Sequence, residues 1–407
     1  MSEQIDAHLA QSKPLRQCQR CRSSPATQDV RTQKLCDDCF ILYIRTRPIK
    51  RIEAVLRSTT TNKLLATPGS EPVYLLSLSG GPTSLALLSA LDSHITSMKT
   101  KTGRSSYALH ALHISSPPPT PTINLAALRT AFPQLAFSSV LLSSALSSFP
   151  APPQLTQQIP NYASLNDEAR LAALLSRAAS PTARADLESQ LRARALTSFA
   201  LAHGQSIILL GSSATALAEL TLAETAKGRG GAVVAGLAED GAVLASDHIH
   251  GQPGAGVKVF YPMRDLLRSD VGAYINVAAL PGQGQEGKLA TLLLDGGEEG
   301  KGRHRALKNV AIDELARTYF RDVEEKFPNI VHNVVRTVGK LDGSATANGG
   351  EEEGGRSRRR CVCCGDVVAS HRADGVGLRD DVEGVRVEVV EGMCKRCERD
   401  FGVEGEG

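Results

Sequence analysis

The chain contains no tryptophan, and aromatic residues make up only 4% of its 407 residues. A general single-strand nucleic-acid binder stacks base after base on aromatic rings, so that class fits poorly. There is no cysteine between Cys39 and Cys361. The long middle of the chain therefore offers no thiolate nucleophile, and a serine does not replace one at neutral pH without an adjacent base. No stretch of 18 uncharged apolar residues and no basic-then-apolar start occurs, so neither a membrane span nor a secretory signal is expected, and the reading is a soluble, intracellular protein.

What remains is enough for a real core. Hydrophobic residues are 42% of the total, drawn from Ala, Leu, Val and Ile, and the length suits one large α/β domain with smaller modules. The net charge of +3 is unevenly spread. Residues 1–63 hold twelve Lys/Arg against six Asp/Glu, whereas residues 343–407 hold ten against fourteen. The amino-terminal end is the better candidate to meet a polyanion.

Eight of the nine cysteines fall in CxxC pairs. Cys18 and Cys21 are followed after fourteen residues by Cys36 and Cys39, and Cys361 and Cys364 are followed after twenty-nine by Cys394 and Cys397. Without a secretory signal such pairs point to metal rather than disulfides. Two knuckles supply four thiolates to one tetrahedral zinc, and a closed four-sulfur shell is structural rather than catalytic. Two structural zinc sites are expected, with Cys363 left over as a free thiol.

Val73 to Leu78 reads as a buried strand. It breaks at Ser79-Gly80-Gly81-Pro82-Thr83-Ser84, and a helix follows with Leu85, Leu88 and Leu91 on one face. A strand, a Gly-rich turn and a helix N-terminus form an anion cradle, in which glycines admit the ligand and free N–H groups face it. Further strands are predicted at 107–114, 135–142, 206–210 and 257–261, with a short helix within 124–146 ahead of its strand, helices over 166–178, 184–203, 304–327 and 331–340, a helix from the Gly211 turn to Ala226, and one running from the 262–267 segment to about Ile275. Strand, turn and helix in alternation predict a doubly wound parallel sheet. His110 and His113 have no acidic or thiol neighbour in the sequence and read as packing or surface residues. The helix from Phe40 to Arg57, interrupted at Pro48, carries Arg45, Arg47, Lys50 and Arg51, either as a solvated face or as phosphate contacts. The predicted organisation is a zinc module with a basic helix (1–63), an α/β domain (70–342), a low-complexity linker (343–360) and a second zinc module (361–407).

The loop at 79–84 resembles the SGGxDS pyrophosphate loop of ATP pyrophosphatases that adenylate a uridine or carbonyl oxygen, with Thr83 standing where active members have Asp. The amino-terminal double CxxC, this loop, the Gly211-to-Glu219 turn, Lys227-Gly-Arg-Gly230, Tyr261-Pro-Met-Arg-Asp-Leu-Leu267 and the carboxy-terminal double CxxC together resemble the cytoplasmic tRNA 2-thiolation protein 2 family over nearly the whole chain. The resemblance implies an adenine nucleotide alpha hydrolase-like (PP-loop) fold flanked by two zinc modules. It also implies a cytoplasmic accessory subunit in 2-thiolation of the wobble uridine of cytosolic tRNAs of the Lys, Glu and Gln type. The implied partners are tRNA, a catalytic paralogue in a heterodimer and, indirectly, a thiocarboxylated ubiquitin-related modifier, with a link to protein conjugation by that modifier and none to membrane.

Active relatives carry an acidic second turn resembling GHxxDDxAET and cysteines within the α/β domain. Here Thr215 and Ala216 stand in place of the acidic pair and the cysteines are missing. Adenylyl transfer depends on placing metal and charge at the transition state, so no sulfur transfer, no catalytic residue and no iron–sulfur cluster are expected in this chain. Ser79, Gly80, Gly81, Thr83 and Ser84 either bind pyrophosphate, ATP or a tRNA phosphate, or persist because the strand-to-helix turn needs glycine; the second reading is preferred. Arg45, Arg47, Lys50, Arg51, Lys227 and Arg229 are the candidates for tRNA contact. Two rival readings are an active ATP-dependent tRNA-modifying enzyme and a zinc-dependent RNA-binding scaffold without a thiolation role.

Overall fold

A computed structural model describes residues 17–30, 33–59, 71–116, 123–149, 156–230, 257–280, 287–293 and 310–341, together with 233, 237 and 242–244. The predicted linker and the second zinc module, with Cys361, Cys363, Cys364, Cys394 and Cys397, lie outside the described residues.

The apolar runs form one mixed sheet. In chain order its strands are β3 (Val73–Ser77), β4 (Ala108–Ser115), β5 (Ala136–Leu141), β6 (Ile207–Leu210), β7 (Ala242–Leu244) and β8 (Val257–Phe260), arranged β5-β4-β3-β6-β8-β7. All pairings are parallel except β7 against β8. The chain winds outward from β3 through β4 to β5, then returns to place β6 on the other side of β3. The doubly wound fold expected from the sequence is present, and the strand order reverses between β3 and β6.

Both faces of the sheet are covered, which is why its strands read as continuous apolar runs. Tyr74 and Leu76 face one core while Leu75 between them faces the other. On the first face lie α1 (Asp37–Thr59), α2 (Pro82–Thr102), α3 (Leu125–Ala131) and α7 (Arg268–Val277). On the second lie α4 (Asp167–Ser176) and α5 (Pro181–Ala202), which bring in Leu171, Leu174, Leu187 and Leu191. A third cluster joins α6 (Ala214–Ala226) to an α-hairpin, α8 (Ile312–Lys326) and α9 (Pro328–Lys340), through Leu217, Phe320, Val331 and Val335. Among the described residues no helix is long and apolar enough to cross a membrane.

The helix α1 departs from expectation by running unbroken through Pro48. A proline inside a helix costs about 3 kcal/mol. Phe40, Ile44, Pro48, Ile52 and Val55 form a single buried stripe that packs on α2 and α7. At about 1.5–3 kcal/mol for each large side chain, burial of that stripe outweighs the lost hydrogen bond. Further stitches hold α1 in place. Arg51 donates to both oxygens of Asp265 at 2.6 and 2.8 Å, and Arg45 Nε donates to the Tyr274 hydroxyl at 2.8 Å. The amino-terminal module thus shares a continuous core with the sheet.

Lys227-Gly-Arg-Gly230 is a correction to the sequence reading. Lys227 and Arg229, candidates for tRNA contact, turn inward at the end of α6, and only 2% of the Lys227 side chain is exposed. Its ammonium donates to Asp186 of α5 and Asp313 of α8, each at 2.7 Å, and to Glu224 at 3.3 Å. Arg229 grips Asp186 at 2.7 and 3.0 Å and also pairs with Glu224. Gly228, at φ +79°, lets the chain reverse so that both cations reach the same carboxylates. Unpaired cations buried this deeply are prohibitive, so these charges serve the joint between α5, α6 and α8 rather than a phosphate.

Burial pushes the Asp186 carboxyl upward, but hydrogen bonds and charge from Arg229 and Lys227 outweigh it and hold it below its ordinary value of 3.8. Its contribution to stability is therefore present above about pH 4 and is lost as pH falls through the depressed value. Asp186→Asn is expected to destabilise the fold by about 3–5 kcal/mol at pH 7. In urea titrations the gap to the unsubstituted protein should narrow as pH is lowered below about 4.

Candidate metal centre and degenerate phosphate loop

Two sites that the sequence singles out lie on the first face of the fold. The first is the cysteine cluster. The hairpin β1 (Gln28–Val30) and β2 (Gln33–Leu35) carries the first CxxC turn at its side, through Gln19 N–H to Lys34 O at 3.0 Å and Thr27 N–H to Leu35 O at 2.9 Å. The turn closes on itself by Arg22 N–H to Cys18 O and Cys18 N–H to Ser24 O, both 2.9 Å. Arg22 takes a left-handed φ of +57° directly after the second cysteine, a position more often given to glycine. The second CxxC pair opens α1, with Asp37 and Asp38 favourably placed in its first turn. Asp37 also accepts from Thr27 and Gln28, which ties the hairpin to the helix.

These contacts bring the sulfurs of Cys18, Cys21, Cys36 and Cys39 within 4.8 Å of one another. Cys21 and Cys36 are 3.7 Å apart. Sulfurs about 2.3 Å from a tetrahedral zinc would stand about 3.8 Å from each other, so the shell suits a single ion. The thiols do not titrate alike. Hydrogen bonds from Ser23 and Ser24 lower Cys21 to about 5. Burial and the neighbouring thiols push Cys39 up to about 12. Such crowding resists four thiolates together unless a cation neutralises them. A zinc ion bound here would supply that charge and lock hairpin to helix. Cys18→Ser with Cys36→Ser is expected to lower the metal content measured by elemental analysis by one ion per chain and to cut the thermal stability of the amino-terminal module.

The second site is the turn from β3 into α2. Gly80 has φ +86°, which a side chain would strain. Ser79 Oγ donates to Ser84 Oγ at 3.2 Å and Ser84 Oγ donates to the Gly81 carbonyl at 2.9 Å, so both hydroxyls are engaged within the turn. Gly81 caps α2 without a side-chain bond and Pro82 begins the helix. His113, at the end of β4, is buried with Nδ1 2.9 Å from the Leu78 carbonyl and so packs under the loop as a structural residue. The half-buried His110 likewise meets Ser138 and Gln205.

The turn after β6 lies directly against this loop. A Cβ at Gly211 would stand 2.7 Å from Ser84 Cα and 2.9 Å from its N, so only glycine permits the approach. The two turns thus flank the crevice at the point of strand reversal, where open α/β sheets bind their ligands. The polar groups of the second turn are bonded to α7 and α8. Thr215, fully buried, donates to Glu324 of α8 at 2.5 Å and accepts from the Arg268 N–H at 3.0 Å. Glu324 also accepts from the Ser269 N–H at 2.7 Å, at the amino end of α7. Glu219 receives Arg268 Nη2 at 2.7 Å. Sequence reasoning missed Glu324, which lies more than 100 residues from Thr215 and carries no local motif. Gly211→Ala is expected to cost about 1–3 kcal/mol in thermal unfolding, because backbone rather than a flexible side chain must move.

The basic candidates divide. Arg45 and Arg51 are tied to α7 and to the 261–267 segment as described, and Lys227 and Arg229 are buried, whereas Arg47 is half-exposed and Lys50 exposed.

The family model described as cytoplasmic tRNA 2-thiolation protein 2 matches residues 311–383, from α8 and α9 onward. The protein of that name from Phaeosphaeria nodorum is 31% identical over 395 residues, covering 95% of either chain. The one from Pyrenophora tritici-repentis is 32% identical over 359 residues, covering 87% of this chain and 85% of its own. Among solved structures, the U34-tRNA thiolase NcsA from Methanococcus maripaludis, described with its 4Fe–4S cluster, aligns with 80% of this chain and 88% of its own at 12% identity and a TM-score of 0.44. An NAD+ synthetase from Burkholderia pseudomallei aligns with 77% of this chain and 94% of its own at 13% identity and a TM-score of 0.32. The identity with the two fungal proteins, sustained along almost the full chain, places this protein in the cytoplasmic tRNA 2-thiolation protein 2 family.

Proposed function

We propose that this chain serves the 2-thiolation of tRNA as a non-catalytic subunit. In this reading it acts on the wobble uridine of cytosolic tRNAs of the Lys, Glu and Gln type. It pairs in the cytoplasm with a catalytic paralogue that takes sulfur from a thiocarboxylated ubiquitin-related modifier, and so touches protein conjugation by that modifier. Family membership supports the thiolation role. The observation that carries the non-catalytic part is the second turn, where Thr215 is bonded to Glu324 and Glu219 to Arg268.

Adenylation of a uridine oxygen needs carboxylates free to position metal near the leaving pyrophosphate. Here the carboxylates around the crevice are engaged with an arginine, a hydroxyl and a helix N-terminus. Thr83 offers a hydroxyl in place of a charge, and residues 40–360 offer no thiol to carry sulfur. What the fold does supply is a rigid α/β body carrying a zinc-stabilised amino-terminal module, suited to assembly and to holding tRNA. The cysteines 361, 364, 394 and 397 are proposed as the ligands of a second structural zinc.

Reconstitution tests this. Thiouridine in a tRNA with an unmodified wobble uridine should form only when this chain and the catalytic paralogue are both present. It should survive Ser79→Ala with Gly81→Ala in this chain, and fall with Cys18→Ser/Cys21→Ser. Thiolation by this chain alone, or its abolition by the loop variant with assembly intact, would overturn the reading in favour of an active enzyme.

A further inference from the structure

We infer that Tyr43 and Arg47, with Lys50 and Arg57, form a face of α1 that receives an unpaired nucleotide of the tRNA and its flanking phosphates. This inference rests on the reading of the chain as a tRNA thiolation subunit.

Residues 43, 47, 50, 54 and 57 recur at helical spacing, so Tyr, Arg, Lys, Ala and Arg line one flank of α1. That flank is turned about a third of a revolution from the buried stripe and runs about 21 Å. None of these five is acidic, and the bordering Glu53, three residues after Lys50 and four before Arg57, stands 3.8 Å from His94 Nε2. Several surface cations elsewhere are paired within the protein, as in Lys34–Asp29, Arg170–Asp167 and Arg184–Glu188. Arg47, Lys50 and Arg57 make no direct ion pair among the described residues; Asp265 on the neighbouring segment is held by both arms of Arg51 and feels Arg47 only through its charge at longer range. A row of cations without direct ion-pair partners suits a phosphate backbone.

Arg47 does more than add charge. Its guanidinium carbon sits 4.8 Å from the centre of the Tyr43 ring, and Tyr43 is itself partly buried against the core. A guanidinium steadied over a fixed ring is a ready platform for a nucleobase, since bases stack on arginine planes as they do on aromatic rings. Tyr43 lies one helical turn after Cys39, so the metal centre sets where the platform begins. Arg20, on the first CxxC turn, donates to the Cys39 carbonyl at 3.5 Å and extends the positive surface toward the cysteines. The scarcity of aromatics limits this to one stacked position rather than a track, as recognition of a single splayed-out base requires.

The test is fluorescence anisotropy with the zinc-loaded full-length chain, using a transcribed tRNA with a wobble uridine and its isolated anticodon stem-loop. Arg47→Lys keeps the charge and removes the plane, and is expected to weaken binding about tenfold with an unchanged salt slope. Tyr43→Leu should weaken it several-fold by releasing Arg47. Lys50→Gln should reduce the slope of log affinity against log salt by about 1. Circular dichroism and zinc content should not change in Arg47→Lys or Lys50→Gln. Wild-type affinity in Arg47→Lys would overturn the stacking role, and wild-type affinity in all three variants would overturn the face, while the thiolation reading stood. Absence of tRNA binding by the unsubstituted chain, alone and with its paralogue, would instead undo the reading on which this inference rests. Loss of assembly with the paralogue and unaltered RNA binding would make the stripe a protein interface and overturn the proposal.

Discussion

The close approach of two turns at the reversal of strand order is the constraint on which the rest of the structure depends. Gly211 lets the turn after β6 lie against the backbone of Ser84, and so brings the starts of α2 and α6 to one crevice. Open α/β sheets bind their ligands at such a crevice. In this chain the same packing is retained while the charged groups around it point elsewhere. Glu324 reaches from α8 to take the Thr215 hydroxyl and an N–H of α7, and Arg268 from α7 takes Glu219. The second turn is thereby bonded to both α7 and α8.

The same economy appears at the other end of α6. Lys227 and Arg229 bind carboxylates from α5, α6 and α8, so the α-hairpin is fixed to α6 at both of its ends. The segment Tyr261–Leu267 works similarly toward the amino terminus. Asp265 holds Arg51 of α1, while the buried Arg264 donates to the Leu237 carbonyl at 3.1 Å and lies beside Gly339 of α9, where a Cβ would meet its guanidinium. One short segment after β8 thereby anchors both the cysteine-bearing module and the carboxy-terminal hairpin. Lys227 and Arg229, which read as tRNA contacts in the sequence, are here joints between helices.

Much of the sheet was legible because parallel strands buried on both faces leave unambiguous apolar runs, as at Val73–Ser77 and Ile207–Leu210. The cluster of Cys18, Cys21, Cys36 and Cys39 was legible because CxxC spacing encodes knuckle geometry locally. The antiparallel edge strand β7 and the hairpin β1–β2 were not, since strands of three residues carry too little periodicity. Pro48 misled because a local rule lost to tertiary burial. The basic residues could not be sorted from spacing alone. Lys227 and Lys50 look equally available in the sequence, and only Asp186 and Asp313, distant in the chain, make the first an internal charge.

The proposed non-catalytic role requires that the crevice between the two turns bind nucleotide weakly at most. Titration of Mg·ATP into the zinc-loaded full-length chain, followed by calorimetry, tests it most directly. The expected result is no binding tighter than the millimolar range, unchanged by Gly81→Ala. Micromolar binding lost in Gly81→Ala, accompanied by transfer of adenylate to tRNA, would contradict it.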